Sequence, residues 1–442
     1  MRTSASPSQP AASPAGTLGG ALRNRNVWFL FVLGLATGLP AGWTWYGLFP
    51  GPDIEIERAM LLAATAFGLI GIVELLAAPF LDRYKAPLFR ALGHRRSWVA
   101  SALACALALT AVYAVAQIAS ASLALSLGTI CGILALPVMA LLWISLDALR
   151  IELQPGRGQA VALAAQYIGA LAAAAASARI ESGALAALVL AMLLALGLAA
   201  ALLIDEPEPL PRAAGAETQA SAAGIFRTLT RPWSAFFARH GSATGLLLAA
   251  IALYALGASA ADYLGKQGYV IDIMGAGRAD ADAVGTTRLA MAPFELVLSL
   301  LGALAGMLVA FRLTPARAFI ALQYAVLGLV AFFLLCKLTL GFTVITVALL
   351  FGVRALVFAA AIVIYGVVAA RLTARPYTAG QFALLRLFVG LFWLSEAGMS
   401  RLAPMAGSIA TAGAAAIAAL AAIACMRAAE RAARRTPPID HG

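Results

Sequence analysis

Long apolar runs separated by short polar stretches dominate this chain. We identify twelve runs of about 20 residues, a length at which a helix crosses the ~30 Å hydrocarbon core of a bilayer. The pattern therefore predicts an all-α membrane protein with twelve transmembrane helices. The runs cover residues 27–49, 59–80, 97–117, 122–146, 158–177, 184–204, 242–264, 284–310, 316–336, 341–370, 378–400 and 404–426.

The basic residues predict how these helices are oriented. Lys and Arg are concentrated in every second polar stretch, with a roughly threefold excess over the stretches between them. Basic loops are the ones retained in the cytoplasm. We therefore expect a multi-pass protein of the bacterial inner membrane, monomeric, with both termini in the cytoplasm.

Composition agrees with a lipid environment and excludes several classes of function. The chain is 62% hydrophobic and 12% charged, whereas a soluble domain has about 25% charged residues. Its net charge of +11 reflects loops facing anionic lipid, so we expect no nucleic-acid partner. The four cysteines are far apart and form no metal-binding spacing. We expect neither a metal nor a cofactor.

The longest stretch on the predicted cytoplasmic side divides the runs into two sets of six. It includes the sequence DEPEPLPRAAGAE, whose prolines and charges do not favour a packed element. Two six-helix halves joined by a long loop resemble the layout of the major facilitator superfamily, whose halves surround a site near the membrane midplane. The expected organisation is a disordered tail (1–24), an N-terminal half (25–204), a linker (205–241), a C-terminal half (242–426) and a basic tail (427–442).

The loop after the second run carries a charged motif. It reads LDRYKAPLFRALGHRRSW over residues 81–98. Major facilitators commonly have a G-x-x-x-D-R-x-G-R-R motif here, and this loop retains the Asp-Arg pair and the closing Arg pair. An acid at a helix end favours the N-terminus of a neighbouring helix, and an arginine pairs with an acid. We expect a gate network formed by Asp82, Arg83, Arg95, Arg96, Asp147 and Arg150. In a second reading, these charges serve only to orient the helices in the membrane.

The sequences of four segments are more specific than the superfamily motif. The loop at 81–98, GLATGLPAGWTWYGL at 34–48, SLDALRIELQP at 145–155 and YTAGQFALLRL at 377–387 together resemble the AmpG-like permeases. That resemblance implies a proton-driven carrier of the inner membrane. Members import anhydro-muropeptides, siderophores or acetyl-CoA, so the resemblance does not settle the solute.

The C-terminal half departs from that family. In the seventh run Ala258 replaces a family acid and Asp262 follows one turn later. The tenth run has Arg354 where the family often has an acid, and Arg386 occupies a position that muropeptide carriers leave uncharged. This half has lost acids of the family and gained two cations, which indicates an anionic solute.

Charges inside hydrocarbon are costly and mark functional candidates. Proton coupling needs a group that changes its protonation state, and Glu74, Glu295 and Asp262 are the candidates. An alternative reading is structural, in which Glu295 forms a buried ion pair with Arg354 or Arg386.

The guanidinium groups are candidates for binding the solute, because they hold carboxylates or phosphates bidentately and do not readily lose their charge. Polar and aromatic residues of the runs complete the predicted binding site. Its members are Arg354, Arg386, Trp43, Trp45, Gln166, Tyr167, Tyr324 and Gln381.

These observations together predict a proton-coupled secondary transporter rather than an enzyme. It would move an amphipathic anionic solute of the siderophore or anhydro-muropeptide class by alternating access. Three alternatives remain open: an exporter of a siderophore or drug on the same fold, a membrane-embedded enzyme, and a sensor or assembly protein that transports nothing. An enzyme would need a cluster of catalytic acids or histidines at one membrane face, and the loops show none.

Overall fold

The computed structural model describes residues 23–47, 56–119, 121–154, 158–177, 183–206, 222–273 and 281–435. The described residues form thirteen α-helices, joined by short turns that include a 3₁₀ turn at Arg90–Leu92 and a π turn at Cys336–Leu340. In chain order the helices are α1 Arg25–Gly47, α2 Ile56–Arg83, α3 His94–Ala119, α4 Ala121–Leu153, α5 Gly158–Ser177, α6 Gly183–Leu203, α7 Ala222–His240, α8 Ala243–Ile273, α9 Ala281–Arg312, α10 Pro315–Leu335, α11 Val344–Leu372, α12 Thr378–Ala406 and α13 Ser408–Arg435.

The prediction of an all-α membrane protein is confirmed. Twelve of these helices coincide with the twelve predicted runs, and seven contain described segments long and apolar enough to cross a membrane. α4 extends beyond the predicted end at residue 146 and carries its three final charges within the helix. α7 was not predicted and lies inside the segment interpreted as linker.

The N-terminal half is built by α1 to α6. α1 packs against α5 and α6, and α3 packs against α4 and α6. The shared core includes Leu33, Leu103, Leu142 and Leu194, all fully buried. Glycine permits the close crossing of α1 and α5, because a Cβ on Gly34 would lie 2.5 Å from the α5 backbone.

The C-terminal half is built by α8 to α13. α8 packs against α12 and α13, whereas α11 packs against α9 and α10. The closest approach is between α9 and α11. A Cβ on Gly302 would lie 2.2 Å from the carbonyl oxygen of Leu356, and one on Gly306 would lie 2.7 Å from that of Ala360.

Substituting Gly302 by Ala is therefore expected to destabilise the C-terminal half. The added methyl group has no room against the α11 backbone, and overpacking of this kind costs about 1–3 kcal/mol. The matched control is Gly328→Ala in α10, where an added Cβ meets nothing within 4 Å. Thermal melting in detergent measures both changes. Equal melting temperatures for the two variants would contradict the close α9–α11 contact.

The two halves meet along α2 and α12 and along α5 with α9 and α11. The helix α7 packs across the ends of α2 and α12. We call that end of the bundle the linker side. The final α7 residue, His240, donates from Nε2 to the Leu372 carbonyl at 3.1 Å. Burial is the main cause that lowers the pKa of His240 below its ordinary value, so the ring is neutral near pH 7.

Candidate functional site

Three clusters of charged residues lie at successive depths in the bundle. The first, the linker-side cluster, consists of Asp82, Arg95 and Glu152. The guanidinium of Arg95 donates to Asp82 Oδ1 at 2.6 Å and to Glu152 Oε1 at 2.8 Å. It also donates to the carbonyl oxygen of Leu81. One buried arginine therefore ties together the ends of α2, α3 and α4.

Asp82 of the linker-side cluster also joins the two halves. Asp82 Oδ1 accepts the backbone N–H of Ala379 at 2.9 Å, and Oδ2 accepts that of Gly380 at 2.7 Å. These amides belong to the first turn of α12, which has no helical partners for them and carries partial positive charge. A Cβ on Gly380 would lie 2.6 Å from Pro232 Cβ. Glycine therefore allows α7, α2 and α12 to meet.

The other predicted gate residues of this loop hold neighbouring segments. Arg83 donates to the Thr228 hydroxyl of α7 at 2.7 Å. Arg96 donates to the carbonyl oxygens of Ala201 and Leu202 at the end of α6. Arg83 thus fixes the linker helix, and Arg96 acts within the N-terminal half.

The inter-half cluster lies deeper and consists of Glu74, Asp147, Arg150 and Arg386. Arg386 of α12 lies 2.8 Å from Asp147 Oδ2 and 3.2 Å from Glu74 Oε1, both in the N-terminal half. Asp147 also accepts from Arg150 at 3.1 Å. The guanidinium of Arg386 lies over the Trp143 ring, 5.6 Å from its centre. Two acids and two arginines balance in charge across the interface.

The C-half cluster consists of Asp262, Glu295 and Arg354. Arg354 of α11 donates from Nε to Asp262 Oδ1 at 2.6 Å and from a terminal nitrogen to Glu295 Oε1 at 2.8 Å. The two acids differ in exposure, because Asp262 is 1% exposed and Glu295 is 33% exposed. The cluster carries one excess negative charge, with the more accessible acid at its edge.

Polar groups of α5 face this cluster from the N-terminal half. The phenol of Tyr167 on α5 lies beside Ser299, which is one turn from Glu295 on α9. The preceding residue, Gln166, has a buried side-chain oxygen without a hydrogen-bond partner among the described residues. The structure therefore brings Tyr167 of the predicted binding site close to Arg354, and Gln166 adjoins Tyr167 in the sequence.

The depth of each cluster follows from the helical rise of about 1.5 Å per residue. Glu74 and Arg386 each lie eight residues along their helices from linker-side groups, Asp82 and Thr378, or about 12 Å. Arg354 lies eighteen residues from the linker-side end of α11, or about 27 Å. The two deeper clusters are thus stacked along the region where the halves face each other.

The remaining predicted binding residues are not brought together with Arg354. Tyr324 on α10 is 53% exposed, next to the buried Gln323. Its hydroxyl accepts from Arg427 of α13, away from Arg354. Gln381 is buried near the linker side, where its side chain accepts the N–H of Ala374. The side chains of Trp43 and Trp45 lie outside the described part of the chain.

Sequence reasoning missed two participants. Glu152 holds Arg95 although it was not named as a gate residue. Its signal was available, since it lies within the quoted SLDALRIELQP segment. Glu206 accepts backbone N–H groups of His94 and Arg95 and so caps α3. Its position three residues beyond α6 gave no periodic signal.

Comparison with known proteins identifies the fold. No model of a protein family matches the sequence, and no curated protein matches it. Among solved structures, the chain is similar to the major facilitator transporter FucP in the outward conformation, with a TM-score of 0.59, 15% identity, and coverage of 93% of this chain and 99% of FucP. A second structure, of the E. coli fucose:proton symporter FucP, gives a TM-score of 0.57 at 16% identity, with coverage of 93% and 98%.

A third similar structure is the proton:xylose symporter XylE bound to 6-bromo-6-deoxy-D-glucose. Its TM-score is 0.53 at 14% identity, and the match covers 91% of this chain and 94% of XylE. At these identities the likeness concerns the fold alone. The chain has the major facilitator fold over nearly its whole length, as its two sets of six apolar runs predicted.

Proposed function

We propose that this protein is a secondary active transporter that works by alternating access. The observation that carries the proposal is the inter-half cluster, in which Arg386 of one half holds Glu74 and Asp147 of the other inside the membrane. Ionised groups are costly at this depth unless they are paired. Separating the halves therefore requires that these charges be solvated, protonated or given other partners.

The described contacts correspond to a bundle closed at the linker side. Asp82 caps α12 across the interface, and Arg375 donates to the Glu152 carbonyl at 2.6 Å. Opening this side would break these bonds together with those of Arg386. The opposite transition would re-form them, so the clusters act as a lock between two arrangements of the halves. In this proposal the linker side is the cytoplasmic side of the bacterial inner membrane, and the carrier is a monomer.

Protons are the proposed coupling ion, and Glu74 and Glu295 are the proposed carriers. A proton on Glu74 would remove one of the two charges that hold Arg386. A proton on Glu295 would leave Arg354 bound to Asp262 alone and expose one edge of the guanidinium. Asp262 is almost inaccessible, which favours a fixed structural role for this third candidate.

The proposed solute is an amphipathic anion of the siderophore or anhydro-muropeptide class. Arg354 carries two acids in this structure, so it is not an open anion clamp. A solute carboxylate would occupy it by replacing a protonated Glu295, with Tyr167, Ser299 and Gln166 available for hydrogen bonds. This exchange would bind the proton and the anion together, as symport requires.

Purified protein in proteoliposomes tests this mechanism. Labelled anhydro-muropeptide and a labelled carboxylate siderophore are the probes, each driven by a pH gradient with and without a protonophore. Wild-type protein is expected to accumulate one of them only while the gradient persists. Glu295→Gln is expected to exchange solute across the membrane but to lose gradient-driven accumulation, because its amide takes up no proton.

The matched control is Glu430→Gln, which removes a partly exposed acid at the end of α13 and is expected to transport normally. Gradient-driven accumulation by Glu295→Gln would contradict coupling through Glu295. Failure of wild-type protein to move either probe would contradict the proposed solute classes.

A further inference from the structure

A surface on the linker side combines exposed apolar side chains with basic residues. Its first part is the loop between α2 and α3, where Leu88 and Phe89 are exposed beside Lys85 and Arg90. The loop is firmly held, since the Trp98 indole N–H donates to the Tyr84 carbonyl at 2.7 Å. The exposed side chains are therefore presented by an ordered segment.

The second part is the exposed face of α7. Phe226 is 66% exposed and Phe237 is 48% exposed, and they lie eleven residues apart, about three turns along one stripe. Arg227 and Arg231 are exposed beside them. The bond from Arg83 to Thr228 attaches α7 to the start of the loop, so the two parts lie on the same side of the bundle. We call the two parts together the linker-side collar, formed by residues 84–91 and the exposed face of α7.

The collar lies at the depth of lipid headgroups. α2 presents Leu69, Ile72 and Leu76 on an exposed apolar face that borders lipid in a membrane-spanning bundle. Tyr84 follows Leu76 by eight residues, or about 12 Å along the helix. A lipid whose chains cover that face would place its headgroup beside the collar.

The positive charge of the collar favours an anionic lipid. Residues 84–93 and 222–240 contain no Asp or Glu. The nearest described acids are already engaged, because Asp82 and Glu152 bind Arg95 and Glu206 caps α3. Basic side chains beside exposed aromatic rings are typical of surfaces that insert into the headgroup region of anionic bilayers.

The backbone of Phe89 supplies an independent observation. Its φ of 57° places it in the left-handed region, where it is the one non-glycine residue among those described. That conformation is unfavourable for a bulky residue, while Asn adopts it readily. The unfavourable backbone of Phe89 is offset if its exposed ring becomes buried against another apolar surface. For a membrane protein, that surface is lipid.

We propose that the linker-side collar binds the headgroup of an anionic phospholipid and that Leu88 and Phe89 insert among its neighbouring chains. Lys85, Arg90 and Arg227 supply the charge. This site is separate from the ion clusters of the interior and does not rest on the transport proposal. Its occupancy would stabilise the linker side, because α7 and the loop both contact α2.

The test measures lipid binding by full-length purified protein in detergent. Native mass spectrometry and thermal melting are recorded during titration with phosphatidylglycerol and, as a neutral comparison, phosphatidylcholine. We expect preferential binding of phosphatidylglycerol with a rise in melting temperature. Changing Lys85, Arg90 and Arg227 together to Gln is expected to weaken binding by about fivefold per charge removed. Inorganic phosphate is expected to give no shift, since it cannot bury Leu88 and Phe89.

The matched control removes the same number of charges from the end of α13, by Arg427, Arg431 and Arg434 to Gln. An equal loss of binding in both triple variants would overturn the proposal, since it would show a general effect of net charge. Equal binding of the two lipids, or an equal shift with phosphate alone, would overturn it too.

A second variant separates the ring from the charges. Phe89→Asn is expected to raise the melting temperature without lipid, because it relieves the left-handed backbone. The same variant is expected to lose part of the rise that phosphatidylglycerol causes. An unchanged lipid-induced rise would overturn the inserted role of Phe89, even if the variant is less stable without lipid.

Discussion

Replacing Arg386 by Gln is expected to destabilise the protein by about 3–5 kcal/mol, the range for breaking a buried ion pair from one side. Glu74 is 2% exposed and has Arg386 as its cationic partner, so the variant leaves a buried carboxylate uncompensated. Asp147 retains Arg150. Thermal melting in detergent measures the loss of stability.

The same variant should loosen the linker side. The amides of Ala379 and Gly380 bind Asp82 of the other half, and their hydrogen exchange reports on separation of the halves. Arg386→Gln is expected to accelerate that exchange. The double variant Glu74→Gln, Arg386→Gln is expected to recover most of the stability, because it removes the buried charge as well. Wild-type melting and exchange in the single variant would contradict an inter-half lock.

Replacing Arg354 by Gln is the second change with a large expected effect, again about 3–5 kcal/mol. It removes the guanidinium that Asp262, which is 1% exposed, binds at 2.6 Å. Arg354→Lys is expected to recover only part of the loss, since Nε and a terminal nitrogen of one planar group reach two separate carboxylates and a single ammonium does not reproduce that geometry. Thermal melting compares the two variants.

Glu295→Gln provides the contrast in the same cluster. Glu295 is 33% exposed, and its replacement leaves Arg354 paired with Asp262, so the variant does not leave the buried cation uncompensated. We expect a melting temperature close to that of wild-type protein, in keeping with an acid that releases Arg354 during transport. A loss in Glu295→Gln as large as that in Arg354→Gln would show that all three charges serve stability alone, which is the structural reading that the sequence left open.

Most of the helices were predictable because hydrophobicity is a local property. A run such as 97–117 has to cross the bilayer whatever its neighbours are, and α3 contains it. The helix ends were predicted less well where a helix continues through charged residues. α4 continues through Asp147, Arg150 and Glu152 because these charges find partners in the bundle, whereas a hydropathy pattern ends at the first of them.

α7 was missed for the opposite reason. Its flanking prolines suggested an irregular linker, yet Phe226, Leu229, Trp233 and Phe236 recur at helical spacing. That period was the signal available in the sequence. Tyr324 shows a further limit, since an aromatic residue in an apolar run faces either lipid or the interior, and only the packing of α10 decides between them.

The sequence by itself determined the membrane environment, the two sets of six helices and a short list of charged residues that lipid would not tolerate unpaired. The tertiary structure decided the pairing: Arg386 with acids of the other half, and Arg354 with Asp262 and Glu295 of its own. The physical reason is that the cost of placing a charge in the membrane can be judged from the apolar residues that flank it in the sequence. Its compensation depends on helices more than fifty residues apart, which only the folded bundle brings together.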